Sequence, residues 1–193
     1  MAQQIELFEG GPKRLADGPD GTISYFPRVF DAAESAALFD AIVQSSPWST
    51  ETMWMYDKLV DVPRLVARYA PEQTASREIE AMRARVESVL NTTFNSVGLN
   101  YYRDERDSVA WHNDQTQELV AQPTIALVSL GAMRPMHLRP KRPPRKLLSC
   151  DLEPGSLLVM SGKAQHHWEH SIPKMRRPTG PRISIAFRQR RSE

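Results

Sequence analysis

The chain has 193 residues, carries 25 Lys+Arg against 23 Asp+Glu for a net charge of +2, and is 40% hydrophobic. That length buries a core without staples and that composition is globular, and no apolar run is long enough to cross a bilayer as a helix. A single cysteine, Cys150, excludes an internal disulfide and fits a reducing cytoplasmic compartment. The opening "MAQQIELFEGG" lacks the basic-then-apolar layout of a secretory leader, so no membrane association is expected. The small net charge hides an asymmetry: residues 1–133 hold 11 basic and 19 acidic side chains, and residues 134–193 hold 14 and 4. A basic final third on an acidic body suits a polyanion-facing side.

In chain order, "ISYFPRVF" predicts a short strand. "DAAESAALFDAIVQS" then opens with Asp31 and Glu34 in capping-box spacing. Leu38, Phe39, Ile42 and Val43 supply the apolar face of that helix. A second helix is predicted in "SREIEAMRARVESVLN", with Ser76 as N-cap and Ile79, Met82, Val86, Val89 and Leu90 at helical spacing. From Phe94 onward the texture changes to short strands: "FNSVGLNYY", "SVAWH", "TIALVSLG", "MHLRP", "LLSCDL", "SLLVMSG", "HHWEHSI" and "RISIAFR". Turn-rich segments such as "RDERD", "KRPPRK" and "PKMRRPTGP" separate them. Many short strands without intervening helices predict an antiparallel sandwich or barrel. The layout reads as helical first and β second within one domain of residues 1–193.

Four pieces of the β half carry chemistry. His112 and Asp114 are two apart, so on a strand they share a face and converge on one ion. "HHWEHS" offers His166, His167 and His170, any one of which completes a two-His-one-carboxylate set that leaves positions open for oxygen chemistry on Fe(II). Zinc uses the same ligands, so the set alone does not name the metal. In "PRISIAFRQ", Arg182, Ser184, Ala186 and Arg188 alternate with Ile183, Ile185 and Phe187. Two guanidiniums on one face are costly unless they meet anions, and a dicarboxylate matches their forks. Asn100 and Tyr102 in "GLNYY" share a face and add an amide and a phenol.

Taken together, "LNYYRDERDSVAWHND", "PTIALVSLGAMRPMHLRPK", "GSLLVMSGKAQHHWEHSIPK" and "GPRISIAFR" resemble the AlkB-type Fe(II)/2-oxoglutarate-dependent dioxygenases, nucleic-acid demethylases. The resemblance covers about residues 94–188. It implies an α+β, mainly β fold: a double-stranded β-helix (jelly roll) at 94–190, with helices and a substrate lid in residues 1–93 packed outside. It implies His112, Asp114 and His170 as iron ligands, and Asn100, Tyr102, Arg182 and Arg188 as the residues that hold 2-oxoglutarate, with Arg182 on the far carboxylate. His170 is preferred because it fills the slot before "SIP". The implied reaction consumes O2 and 2-oxoglutarate, hydroxylates an N-methyl group of 1-methyladenine or 3-methylcytosine, and releases succinate, CO2 and formaldehyde. A target base must be single-stranded or flipped, so alkylated DNA or RNA is the implied partner of a monomeric enzyme.

Two departures concern substrate. Many relatives follow the His-x-Asp with acids, where this chain has Gln115 and Thr116. The "VPRLVARYAPEQTASREIE" segment passes straight toward a helix, so the lid reads as shortened or rebuilt, with Trp54, Tyr56 and Tyr69 as candidate stacking residues. These departures keep open the same dioxygenase chemistry on a protein or small molecule, and a non-catalytic nucleic-acid-binding relative. The basic loops "RPKRPPRK" and "PKMRRP" suit phosphate contact.

Overall fold

Twelve strands and two long helices dominate the described residues, and the sequence marks where both of those helices begin. A computed structural model describes residues 11–55, 57–70, 73–114 and 116–191, without the side chains of Met53, Trp54, Met55 and Lys58. Helix α1 (Ala32–Ser45) starts on a complete capping box, with Asp31 accepting from the Glu34 backbone and Glu34 reaching back to the Asp31 N–H. Helix α2 (Arg77–Leu90) starts on Ser76 and ends at Asn91, whose left-handed φ of 47° reverses the chain. Both helices lie where the spacing predicts them.

The strands form two antiparallel sheets. They are β1 (Lys13–Ala16), β2 (Thr22–Phe26), β3 (Ser49–Met55), β4 (Lys58–Tyr69), β5 (Ser96–Tyr102), β6 (Val109–His112), β7 (Ile125–Gly131), β8 (Arg134–Pro140), β9 (Leu148–Leu152), β10 (Ser156–Ser161), β11 (Trp168–Ile172) and β12 (Arg182–Arg188). The large sheet runs β1-β2-β10-β7-β12-β5-β4-β3 and the small one β6-β11-β8-β9. A one-turn helix α3 (Ala164–His167) leads into β11. This is the predicted jelly roll, with α1 and α2 packed outside it.

Period-two alternation divides the large sheet between two cores. One face, with Val97, Leu99, Val128, Leu130, Ile183, Ile185 and Phe187, packs with Ile42 of α1 and Ile79, Met82 and Val86 of α2. The other face, with Ile23, Tyr102, Leu127 and Leu158, meets Met136, Leu138, Leu152 and Ile172 of the small sheet. Strand β12 is buried on both faces, and its even-numbered positions point into the roll.

The helical-then-β layout expected for residues 1–93 needs correction. Four strands precede β5: β2 pairs with β10, and the β3–β4 hairpin pairs with β5 along the same sheet. "VPRLVARY" therefore lies in a twelve-residue strand rather than in a passage toward a helix. The strand was hidden because Arg64 and Arg68 break its apolar run and Pro63 has no N–H for a ladder. The structure accommodates that proline beside a β-bulge, where the register shifts between Thr50 and Thr52. Among the described residues, no helix is long and apolar enough to cross a membrane.

Candidate active site

The small sheet builds a three-residue cluster. His112, the last residue of β6, pairs in register with His170 of β11, and their ring centroids lie 4.3 Å apart. Asp114 follows β6 by two residues, and ligand atoms of His112, Asp114 and His170 all lie within 4.8 Å of one another. The sequence left three histidines open as the third member. The structure puts His170 at the cluster, leaves His166 exposed and sets His167 Nδ1 3.3 Å from Asp20.

Neighbours prepare each group. His112 Nδ1 lies 2.8 Å from the Ala110 carbonyl, which only accepts, so Nδ1 carries the proton and Nε2 is left for an ion. The Asp114 backbone N–H donates to Gln165 Oε1 at 2.9 Å, from the buried α3 turn. The Arg188 guanidinium grips the carboxylate with two bonds, Nε to Oδ2 at 2.9 Å and Nη2 to Oδ1 at 3.3 Å. Burial works to raise the Asp114 carboxyl, but Arg188 and the two imidazoles overcome it and hold it at about 2. Burial, then the neighbouring His112, pushes His170 down to about 3, and burial also lowers His112. At neutral pH the cluster is thus two neutral imidazoles and one carboxylate, the donor set a divalent iron takes.

The interior of the roll also holds a buried cation. Arg182 is fully buried at 0% exposure. Its Nε donates to Ser129 Oγ at 2.9 Å, while Nη1 and Nη2 have no hydrogen-bond partner among the described residues. Burial depresses its pKa to about 10, an indication of how poorly the cation is compensated. Its Cζ lies 5.2 Å from the centroid of the Tyr102 ring, itself 2% exposed. Tyr102 pairs with Arg182 and Asn100 with Ser184 across β5 and β12, so all four face the same interior. A buried guanidinium with both terminal nitrogens free fits the far carboxylate of 2-oxoglutarate, and the donor set beside it fits the iron.

The sequence-predicted residues sort as follows. Asn100, Tyr102 and Arg182 line the interior beside the triad. Arg188 is also there, but its fork is engaged with Asp114. Thr116 opens a 3-10 turn two residues beyond Asp114. Tyr69 is a correction: it pairs with Val97 and packs with the helix-side core, so it faces away from the triad and cannot stack on a base there. Alternation along β4 decides its direction. Tyr56 and Gln115 lie outside the described residues, as does the side chain of Trp54.

Sequence reasoning missed several neighbours. Arg64 of β4 donates from Nε to Asn100 Oδ1 at 2.7 Å, and its strand had gone unrecognised. Gly98 faces Arg188, and a Cβ there would meet Arg188 Nη1 at 2.8 Å, so the glycine makes room for the fork on Asp114. Arg134 is buried at 0% exposure. Its place on the same face of β8 as Met136 and Leu138 was a readable signal.

Comparison with known proteins adds to this geometry. The family model of the 2OG-Fe(II) oxygenase superfamily matches residues 22–188. The human protein named alpha-ketoglutarate-dependent dioxygenase alkB homolog 3 is 32% identical over 200 residues, covering 92% of this chain and 70% of the relative. The mouse DNA oxidative demethylase ALKBH2 is 38% identical over 184 residues, covering 83% of this chain and 77% of the relative. Among solved structures, OsALKBH1 superposes with a TM-score of 0.63 at 13% identity, covering 86% of this chain and 97% of that one. A Trichoplax adhaerens prolyl hydroxylase, in complex with a hypoxia inducible factor peptide fragment, gives 0.64 at 11%, covering 89% and 84%. At those identities the last two speak for the fold alone. With the matched family model, the AlkB-type relatives and the triad all in one chain, this protein belongs to the 2OG-Fe(II) oxygenase superfamily, in its AlkB-type branch, and is an Fe(II)- and 2-oxoglutarate-dependent dioxygenase.

Proposed function

We propose that the protein is an oxidative demethylase of N-alkylated bases in nucleic acid, acting on 1-methyladenine and 3-methylcytosine. The observation that carries this reading is the similarity to a DNA oxidative demethylase over 83% of the chain, in a protein whose iron-ligand set is complete. With iron and 2-oxoglutarate bound, O2 would be the four-electron oxidant: 2-oxoglutarate would give up two electrons and become succinate and CO2, and the N-methyl group would give up two and become N-hydroxymethyl. The hydroxymethyl carbon then leaves as formaldehyde, and the base recovers its N–H.

This chain's residues bind and orient. His112, Asp114 and His170 hold the metal. Arg182, with Ser129 on its Nε, takes the far carboxylate of 2-oxoglutarate, and Tyr102 and Asn100 flank that ligand. Arg188 fixes the Asp114 carboxylate. The target base enters single-stranded or flipped, because its methyl group is out of reach inside a duplex. The site also draws on β4 as well as the later strands, which supports one domain over residues 1–193. A DNA or RNA substrate suits a cytoplasmic, nucleoid or nuclear location.

Two exposed basic loops serve the phosphate backbone in this reading. Arg142, Arg145 and Lys146 lie between β8 and β9, and Lys174, Arg176 and Arg177 between β11 and β12. Because β8 and β11 are antiparallel, the loops flank the small sheet at opposite ends, on the order of 20 Å apart for strands of this length. Replacing Arg142 and Lys146 by alanine weakens binding to single-stranded oligonucleotides of any sequence. It also reduces the slope of log affinity against log salt by about 0.7 per charge removed. Fluorescence anisotropy over a salt series checks this, and an unchanged slope removes the loop from the interface.

The deciding experiment incubates the protein with Fe(II), 2-oxoglutarate, O2 and single-stranded oligonucleotides carrying either methylated base, with mass spectrometry following each methyl group. Cofactor-dependent loss of one methyl is the expected result. Steady succinate formation without methyl loss sinks the nucleic-acid reading and points to a protein or small-molecule substrate.

A further inference from the structure

We propose that Arg134 is a positioning residue for the metal cluster, holding β6 and β11 in the register that brings His112 and His170 together. The proposal rests on the reading of those two histidines and Asp114 as metal ligands.

Arg134 opens β8 with its guanidinium buried inside the roll. Nη2 donates to the carbonyls of Asp107 at 2.8 Å and Pro173 at 2.7 Å, and Nη1 donates to that of Asp104 at 3.1 Å. Asp104 and Asp107 belong to the connection that leads into β6, and Pro173 is the first residue after β11. One side chain therefore joins the entry to the His112 strand to the exit from the His170 strand. The opposite side of the fork leans on Tyr102, whose ring centroid is 5.6 Å from Arg134 Cζ.

Such a staple is needed because the backbone ladder is weak there. β6 has four residues, and its register with β11 shows two pairs, His112 with His170 and Val109 with Ile172, with a shift between them. Three steps along β6 match two along β11. A slip of one residue at such a bulge turns a side chain to the other face, and a turned His112 leaves the cluster. Burying a guanidinium is costly, but an apolar side chain in its place beside Met136 and Leu138 leaves those carbonyls without their donor. What the apolar side chain lacks is a planar fork that reaches three carbonyls at once.

The test is Co(II) binding without 2-oxoglutarate or turnover, followed by the visible absorption of the bound ion, in wild type, Arg134→Met and Arg134→Lys. The lysine variant keeps the charge and part of the contact set, so it remains folded even where methionine does not. The expected result is a Co(II) affinity at least tenfold weaker in the folded variants, with an altered ligand-field band and lysine only partly restoring wild-type behaviour. Wild-type affinity and band in either folded variant, whatever its melting temperature, overturn the proposal, because a merely structural role lowers stability alone. A wild-type protein that fails to bind Co(II) overturns the ligand reading itself, which separates the two failures.

Discussion

Arg182→Met weakens 2-oxoglutarate binding by about 30-fold or more and at the same time raises the melting temperature measured without 2-oxoglutarate. The two effects have opposite signs because one group is responsible for both. Truncating the partner of a buried, hydrogen-bonded charge costs about 2–5 kcal/mol of binding, roughly 30- to 5,000-fold in affinity. Without the dicarboxylate, the same guanidinium is a desolvated cation whose terminal nitrogens lack hydrogen bonds, with Ser129 on its Nε and the neutral Tyr102 side chain beside it. Replacing buried ionic groups by apolar side chains of similar volume is often neutral or stabilising by about 1–4 kcal/mol. Thermal unfolding with and without 2-oxoglutarate reads both at once. Wild type gains stability with ligand concentration, and the variant starts higher and responds far less. A variant that starts lower and still responds to 2-oxoglutarate removes Arg182 from the binding site.

Asp114→Ala eliminates turnover and also destabilises the fold, while His170→Ala eliminates turnover with a smaller loss of stability. Either change removes one of the three proposed metal ligands, so a loss of 1,000-fold or more is expected, on the order of what removing an essential catalytic group costs. The difference lies in what stays behind. Without Asp114, Arg188 keeps a largely buried guanidinium that has lost both charged contacts, and breaking such a pair costs about 3 kcal/mol. The pH dependence follows from the sign of the shift. The Asp114 carboxyl is depressed in the folded protein to about 2. Its stabilisation is therefore complete above the unfolded carboxylate range, near pH 4, and is lost as pH falls toward 2. The stability gap between wild type and Asp114→Asn, measured by urea unfolding, narrows over that interval. A gap that is flat from pH 5 to pH 2 shows that the ion pair contributes nothing.

The β half was legible because its physics is local. Alternation in "RISIAFR" assigns Arg182 and Arg188 to one face without knowledge of the fold, and the capping box at Asp31 and Glu34 fixes the start of α1. The β3–β4 hairpin was not legible, since a proline at a bulge and two arginines in an apolar run resemble loop chemistry until a neighbouring strand pairs with them. Arg64 was lost with that strand. Tyr69 was misjudged for a related reason: an aromatic near a site in sequence faces it only if the strand's phase allows, and that phase is set by pairing with Val97. Gln165 and Arg134 act through backbone atoms more than 20 residues away in sequence, and no short-range pattern reports such contacts. Gly98 reads as a weak point in a strand until Arg188 is seen lying across it.

The two-faced burial of β12 and β5 has a consequence for how this sequence can diverge. Odd positions 183, 185 and 187 of β12, and 97, 99 and 101 of β5, sit in the layer shared with the helices. Even positions 182, 184 and 188, and 98, 100 and 102, face the reacting centre. Tolerance to substitution therefore alternates residue by residue: abundance in the cell answers to one set, catalytic output to the other. A lineage can retune its chemistry through the even positions while stability, guarded by the odd ones, stays nearly constant.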